Sequence, residues 1–221
     1  DPLLLAMDLV AKNPQSTRAS SDLATLYVAM SDSNPNSPFF SMGQQEFERA
    51  SRLPNASPLP EQGLILMAAT TGQPVQEEWW DRLIEKLKTR PIGTQETLTV
   101  TGLLKQRYAG IELSDARIAQ VYTTLLARGA QAPIRYVEYG NFVLRYLHDP
   151  QLASRLFAEA VERNPNDAAY ALKIARSLLE DGHPQQALAV INQAQALNMA
   201  DPDQEFSTLK SLALKMELVL P

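Results

Sequence analysis

The chain has 221 residues, 45% of them apolar and 20% charged, with a formal net charge of −5 and a pI near 5.1. That length can bury a sizeable core as one large domain or a continuous array, and its acidity lacks the basic footprint that phosphate backbones need, so nucleic acid is not an expected partner. There is no cysteine, which excludes disulfides, thiolate catalysis and cysteine–zinc sites, and the longest apolar run, Gly63–Gly72, falls short of the ~20 residues of a membrane span, so no direct membrane insertion is expected of this segment.

Taken in chain order, almost every stretch reads as helix. Apolar residues return at helical spacing, and no alternating apolar run bounded by turns argues for a strand. The expected helices cover about 2–12, 17–31, 38–53, 58–71, 75–89, 95–108, 115–128, 133–147, 150–163, 167–181, 184–197 and 203–219. Several starts share one device: Asp1-Pro2, Ser37-Pro38, Ser57-Pro58 and Asp149-Pro150 each place a capping oxygen before a proline. The cap accepts a free backbone N–H, and proline lacks the N–H that would have had no partner at that position. The segment "EEWWDRLIEKLKTR" is an amphipathic helix, with Glu77 and Glu78 in its first turn and Lys86, Lys88 and Arg90 at its end, as the helix dipole favours. Trp80, Ile84 and Leu87 fall on one face with Leu83 beside them. The adjacent Trp79 points about 100° away. It reads as core, with a binding anchor as the sharper alternative. Phe39 and Phe40 follow an Asn/Ser/Pro-rich loop and read as a staple that holds it down.

Small residues return on a fixed count towards the C-terminus. Ala153 and Ala187 are 34 positions apart, as are Ala160 and Ala194. Ile174, Ala175 and Leu178, then Gly182, then Ala187, Ile191 and Ala194, resemble one tetratricopeptide repeat, a 34-residue helix–turn–helix. Tyr139, Gly140 and Val143, followed by Ala153, Phe157, Ala160 and Pro165, resemble the repeat before it, with the first helix one residue out of register. Leu23, Ala24 and Tyr27, then Gly43, Phe47 and Ala50, give a third match, with about seven extra residues between its helices. Small residues let backbones cross closely, and large ones such as Phe157 and Ile191 fill the space beside them. "KNPQS" at Lys12–Ser16 is similar to "RNPND" at Arg163–Asp167, so the first helix is expected to be the second helix of a repeat whose first helix precedes Asp1. The chain starting with Asp1 rather than Met agrees with a processed or partial chain.

The expected architecture is therefore all-α, and the resemblance implies a right-handed α-solenoid of antiparallel hairpins. Four segments are expected: 1–56, repeat-like hairpins with a loop insertion; 57–132, diverged helical hairpins; 133–200, two repeats; and 201–221, a capping helix. Phe206, Leu209, Leu212, Ala213, Met216 and Val219 make the stripe of that last helix, and Leu214, Leu218 and Leu220 widen it into a possible homodimer surface.

Signals for chemistry are sparse. His148 and His183 precede Asp149 and Pro184 at turns and have no helical ligand partner, so neither a metal nor another cofactor is expected. No nucleophile elbow or phosphate loop occurs. The paired carboxylates Glu77/Glu78, Glu180/Asp181 and Asp201/Asp203 lie at helix ends or turns, where solvation suits them better than acid–base work. No catalytic residue is assigned to this segment.

Resemblance to tetratricopeptide arrays implies that the first helix of each hairpin lines a concave face that binds a partner protein or peptide. On that face the first matching repeat would place Arg18, Ser21 and Thr25, the next Asn141, Leu144 and Arg145, and the last Leu172, Lys173, Arg176 and Leu179. Asn141, Arg145, Lys173 and Arg176 would form a polar, locally basic set suited to a carboxylate, flanked by Leu144 and Leu172. The expected function is a non-catalytic interaction scaffold. The alternative is the soluble arm of a larger bacterial membrane glycosyltransferase-like protein: the stretch from Ser37 to Leu66 looks like the repeat regions that follow many-span membrane parts in such proteins. Under that alternative the arm faces the periplasm or cell envelope and binds an acceptor protein or glycan.

Overall fold

A computed structural model of the chain describes residues 1–129 and 131–219. Among the described residues it is all-helical, with twelve α-helices in chain order: α1 (Pro2–Lys12), α2 (Thr17–Met30), α3 (Pro38–Ser51), α4 (Leu59–Thr70), α5 (Glu77–Thr89), α6 (Thr94–Tyr108), α7 (Asp115–Leu126), α8 (Pro133–Phe142), α9 (Pro150–Glu162), α10 (Ala168–Glu180), α11 (Pro184–Ala196) and α12 (Glu205–Glu217).

Local chemistry explains most of the starts. Asp1 accepts the Leu3 N–H at 2.9 Å, Ser37 that of Phe39 at 3.3 Å and Asp149 that of Leu152 at 2.9 Å, each ahead of a proline. Ser16, Ser114 and Asp167 cap α2, α7 and α10 in the same way without a proline. Ser57 does not cap. Helix α4 begins at Leu59 with Pro58 in the cap position, and Ser57 Oγ is buried with no hydrogen-bond partner. Pro60, with φ already fixed near the helical value, suits the first turn and sets the start. A second departure is the expected helix over 133–147. It is α-helical only to Phe142, continues as a π-helical turn from Val143 to Leu147, and is closed by His148 in the left-handed region, φ 53°. Such a wider turn inserts one residue into the helix, and it lies in the stretch where the resemblance to the repeat pattern is one residue out of register.

The chain divides into two compact units, Asp1–Arg128 and Gly129–Pro221. In the first, α2 packs on α3 and α4, α4 on α5 and α6, and α5 on α7. Phe47, Leu64, Ile65, Leu83, Leu87, Leu103, Ile118 and Tyr122 fill its interior. Helix α1 joins through Ala6, Leu3 and Val10, which meet Leu23, Tyr27 and Phe39, while Leu4, Leu5, Met7 and Leu9 are exposed. Phe40 is buried and Phe39 stacks on Tyr27 with ring centroids 6.5 Å apart, so both aromatics after the loop insertion turn inward.

In the second unit α8 packs on α9, α9 and α10 both pack on α11, and α11 packs on α12. Phe142, Phe157, Ala175, Ile191 and Phe206 form its interior. Two glycines at the small-residue positions show why size matters there. A Cβ at Gly43 would lie 2.7 Å from Val28 Cγ2 and 3.1 Å from the Ala24 carbonyl oxygen, and one at Gly140 would lie 2.9 Å from the Phe157 ring. Contacts that short are repulsive, so the α2–α3 and α8–α9 crossings require glycine. The expected stripe on α12 splits. Phe206 and Ala213 are buried and Leu209 and Met216 half-buried, but Leu212, Leu214, Leu218 and Val219 are exposed. Leu220 lies outside the described residues.

Candidate functional site

Helices α2 and α4, with Phe47 of α3 and Gln106 of α6, line a cleft of about 310 Å3 in the first unit. Its apolar lining is Val28, Phe47, Leu59, Gly63, Leu66 and Met67, and its polar lining is Ser21, Asp22, Thr25, Gln62, Thr70 and Gln106. Helical spacing accounts for this set: Ser21, Thr25 and Val28 share one face of α2, and Leu59, Gln62, Gly63, Leu66 and Thr70 share one face of α4. The volume lies at the small end of ligand clefts, roughly 300–1,000 Å3, and the mixture of apolar walls with a few polar groups is typical of them.

The polar groups of the cleft are not equivalent. Thr25 donates to the Ser21 carbonyl at 2.8 Å and Thr70 to the Leu66 carbonyl at 2.7 Å, so both hydroxyls are occupied by their own helix. Gln62 donates its Nε2 to the Thr99 carbonyl at 3.0 Å, tying α4 to α6. Ser21 is 3% exposed and its hydroxyl has no hydrogen-bond partner. Asp22 is the one ionisable residue of the lining. Its carboxylate is 68% exposed and 4.0 Å from Arg18 Nε, itself 76% exposed, a surface pair too loose to neutralise it. Of the three residues expected on the groove of the first repeat-like hairpin, Ser21 and Thr25 line this cleft and Arg18 does not.

The same unit holds a buried ion cluster that lies apart from the paired carboxylates marked in the sequence. Glu61 of α4 is fully buried, with Lys86 Nζ of α5 2.6 Å away and Arg82 Nε 3.7 Å away. Lys86 also donates to the carbonyls of Ser51 at 2.9 Å and Ser57 at 3.2 Å, and Arg90 donates to that of Ala56. Glu48 of α3 accepts from Trp79 Nε1 at 2.7 Å and from Arg82 at 3.0 Å. Burial pushes the Glu61 carboxyl above its usual range, opposed by the Lys86 ammonium, and burial pushes Lys86 down, opposed by Glu61. The cluster joins α3, α4, α5 and the 52–58 connection, and it opens onto no cleft described above. Each residue left a sequence trace: Glu61 precedes Leu64 and Ile65 by three and four positions, and Lys86 follows Leu83 by three, so each charge sits on an apolar helical face. Trp79 and Trp80 are both buried, 2% and 1% exposed, so Trp79 packs in the interior and its indole N–H serves Glu48.

In the second unit, Asn141, Arg145, Lys173 and Arg176 are exposed on α8, its π-helical extension and α10, and Leu172 is half-buried. Arg145 lies over the neighbouring Tyr146 ring, 5.4 Å from its centroid. Arg176 is paired with Glu205 of α12, so one cation of the expected carboxylate grip already faces a carboxylate. Leu179, expected on the groove, is instead buried at 6% exposure, because α12 covers that part of α10. Leu144 lines a different cleft of about 420 Å3 at the hairpin turns, shared with His148, His183 and Glu217. Both histidines of the chain therefore meet there, although they are 35 positions apart. Among the described residues no group of three His, Asp or Glu is arranged to hold a metal ion, and no helix is long and apolar enough to cross a membrane.

No model of a known protein family matches the chain, and no curated protein matches it.

Proposed function

We propose that the chain is a non-catalytic interaction scaffold: a right-handed helical solenoid resembling tetratricopeptide repeats, which binds a partner protein or peptide on the face made by the first helices of its hairpins. One observation carries this reading. Helices α2 and α4 are separated in sequence by α3, yet they line one cleft, whose apolar floor also takes Phe47 of α3 and whose edge takes Gln106 of α6. Stacked hairpins bring first helices side by side, and a groove along them is the natural consequence. Glu61 and Glu48 are ion-paired with Lys86 and Arg82 and so tie α3, α4 and α5 together, which supports a structural rather than a catalytic part for them.

The test compares wild type with two surface variants, Leu66→Arg in the α2/α4/α6 cleft and Asn141→Ala/Arg176→Ala on α8 and α10. Each is immobilised and offered native envelope and cytosol fractions. A partner held by wild type and lost by either variant supports the first-helix face as the binding surface. A partner held equally by all three overturns it. Exposed ion pairs contribute about 0–1 kcal/mol, so losing the Arg176–Glu205 pair leaves the fold intact and the comparison readable.

A further inference from the structure

The α2/α4/α6 cleft has a charge character that says what it would hold. Its floor is aliphatic and aromatic: Phe47, Leu66 and Met67 meet there. Asp22 is its one ionisable residue, and there is no Lys, Arg or His in the lining to receive an acidic group. Arg18, the nearest cation, stands 4.0 Å from Asp22 and points largely into solvent. Ser21, adjacent to Asp22, carries the one lining hydroxyl without a hydrogen-bond partner. The cleft is too small for a helix and large enough for one long side chain with the backbone that carries it.

Resting on the scaffold reading above, we propose that this cleft takes an extended segment of a partner protein, seating an aliphatic side chain on Phe47, Leu66 and Met67 with a neighbouring Lys or Arg against Asp22. Burying the aliphatic group supplies the affinity, since apolar burial is non-directional and scales with area. The cation supplies selectivity. A peptide with Glu or Asp at that position would bring like charges together at the mouth, where the one cation beside Asp22 is Arg18, 4.0 Å away and held largely in solvent. Such a partner also suits the chain as a whole, whose net charge of −5 favours encounter with basic segments. An acidic peptide terminus, the ligand for which the exposed basic residues of the second unit were singled out, finds no counterpart here.

The experiment pans a phage-displayed random dodecapeptide library on the full chain and on Asp22→Lys, then measures the enriched peptides against both and against Leu66→Arg and Asn141→Ala/Arg176→Ala. On wild type, enriched sequences should pair Leu, Ile or Met with an adjacent Lys or Arg. Their affinity should fall about tenfold or more in Leu66→Arg, and roughly three- to fivefold in Asp22→Lys. Panning on Asp22→Lys should replace the basic neighbour by Glu or Asp, a reversal that loss of folding could not produce. The proposal is overturned if the enriched peptides bind Asp22→Lys as well as wild type. It is also overturned if only Asn141→Ala/Arg176→Ala weakens them, an outcome that leaves the first-helix face as the binding surface. No enriched peptide sensitive to any of the three variants overturns both readings.

Discussion

Glu61 and Lys86 form the most consequential pair of residues in the first unit. An ion pair taken out of water gains little over well-packed apolar side chains, but breaking one half is costly, because the other charge stays buried without a partner. Lys86→Met should therefore destabilise the chain by about 3–5 kcal/mol at neutral pH, and Glu61→Leu/Lys86→Met should recover most of that loss. The pH dependence has a definite sign. Without Lys86, burial is opposed only by the more distant Arg82 and a backbone hydrogen bond, so the folded pKa of Glu61 lies further above the unfolded value of about 4.3. Between those two values the folded state binds more protons, and stability falls as pH rises. Lys86→Met should thus lose least near pH 4 and most at pH 7 in urea titrations followed by circular dichroism. A double variant as unstable as the single one, or a loss independent of pH, would contradict this account.

Each helix in this fold is short, and its ends matter in proportion. In the second unit α9 and α10 are capped by Asp149 and Asp167, which accept the Leu152 and Tyr170 N–H groups, both at 2.9 Å. Asp149→Ala should cost about 1 kcal/mol and Asp149→Asn almost nothing, because the cap needs an oxygen acceptor and not a charge. Equal losses in the two variants, measured by thermal melting, would assign Asp149 a different part. The cap at Asp149 was legible in the sequence because it depends on a neighbour three residues away. The end of α8 was not. A π-helical turn reflects how Phe142 and Val143 are drawn into the core, both fully buried, and that pull comes from other helices. Ser57 failed as a cap for a related reason: it sits in the connection held by Lys86 and Arg90 from α5.

At the scale of the whole molecule, each of the two units has its own core, and the division falls after Arg128. A unit with its own core can fold alone. Fragments 1–128 and 129–221, produced separately, are expected to keep helical circular dichroism and to melt cooperatively. A fragment that is unfolded by itself would show that its core depends on the rest of the chain. The middle helices, α4 to α7, match no repeat motif in sequence, yet α4 packs on both α2 and α6. Their spacing is set by packing volumes that several residue combinations can supply, so no fixed pattern of small and large residues had to mark them.

The sequence by itself determined the helices, the caps at Asp1, Ser37 and Asp149 and the small residues at the α2–α3 and α8–α9 crossings. Those features depend on period, on neighbours in the chain and on the size of a single side chain. Only the tertiary structure decided which polar residues would be buried and which would share a cleft. Glu61 and Lys86 are 25 positions apart, and Ser21 and Gln106 are 85 apart. Nothing in a local pattern records that a buried charge will find its partner, or that helices separated in sequence will leave a space between them. The same holds for Arg176, which reads as a free cation on α10 until α12 places Glu205 beside it.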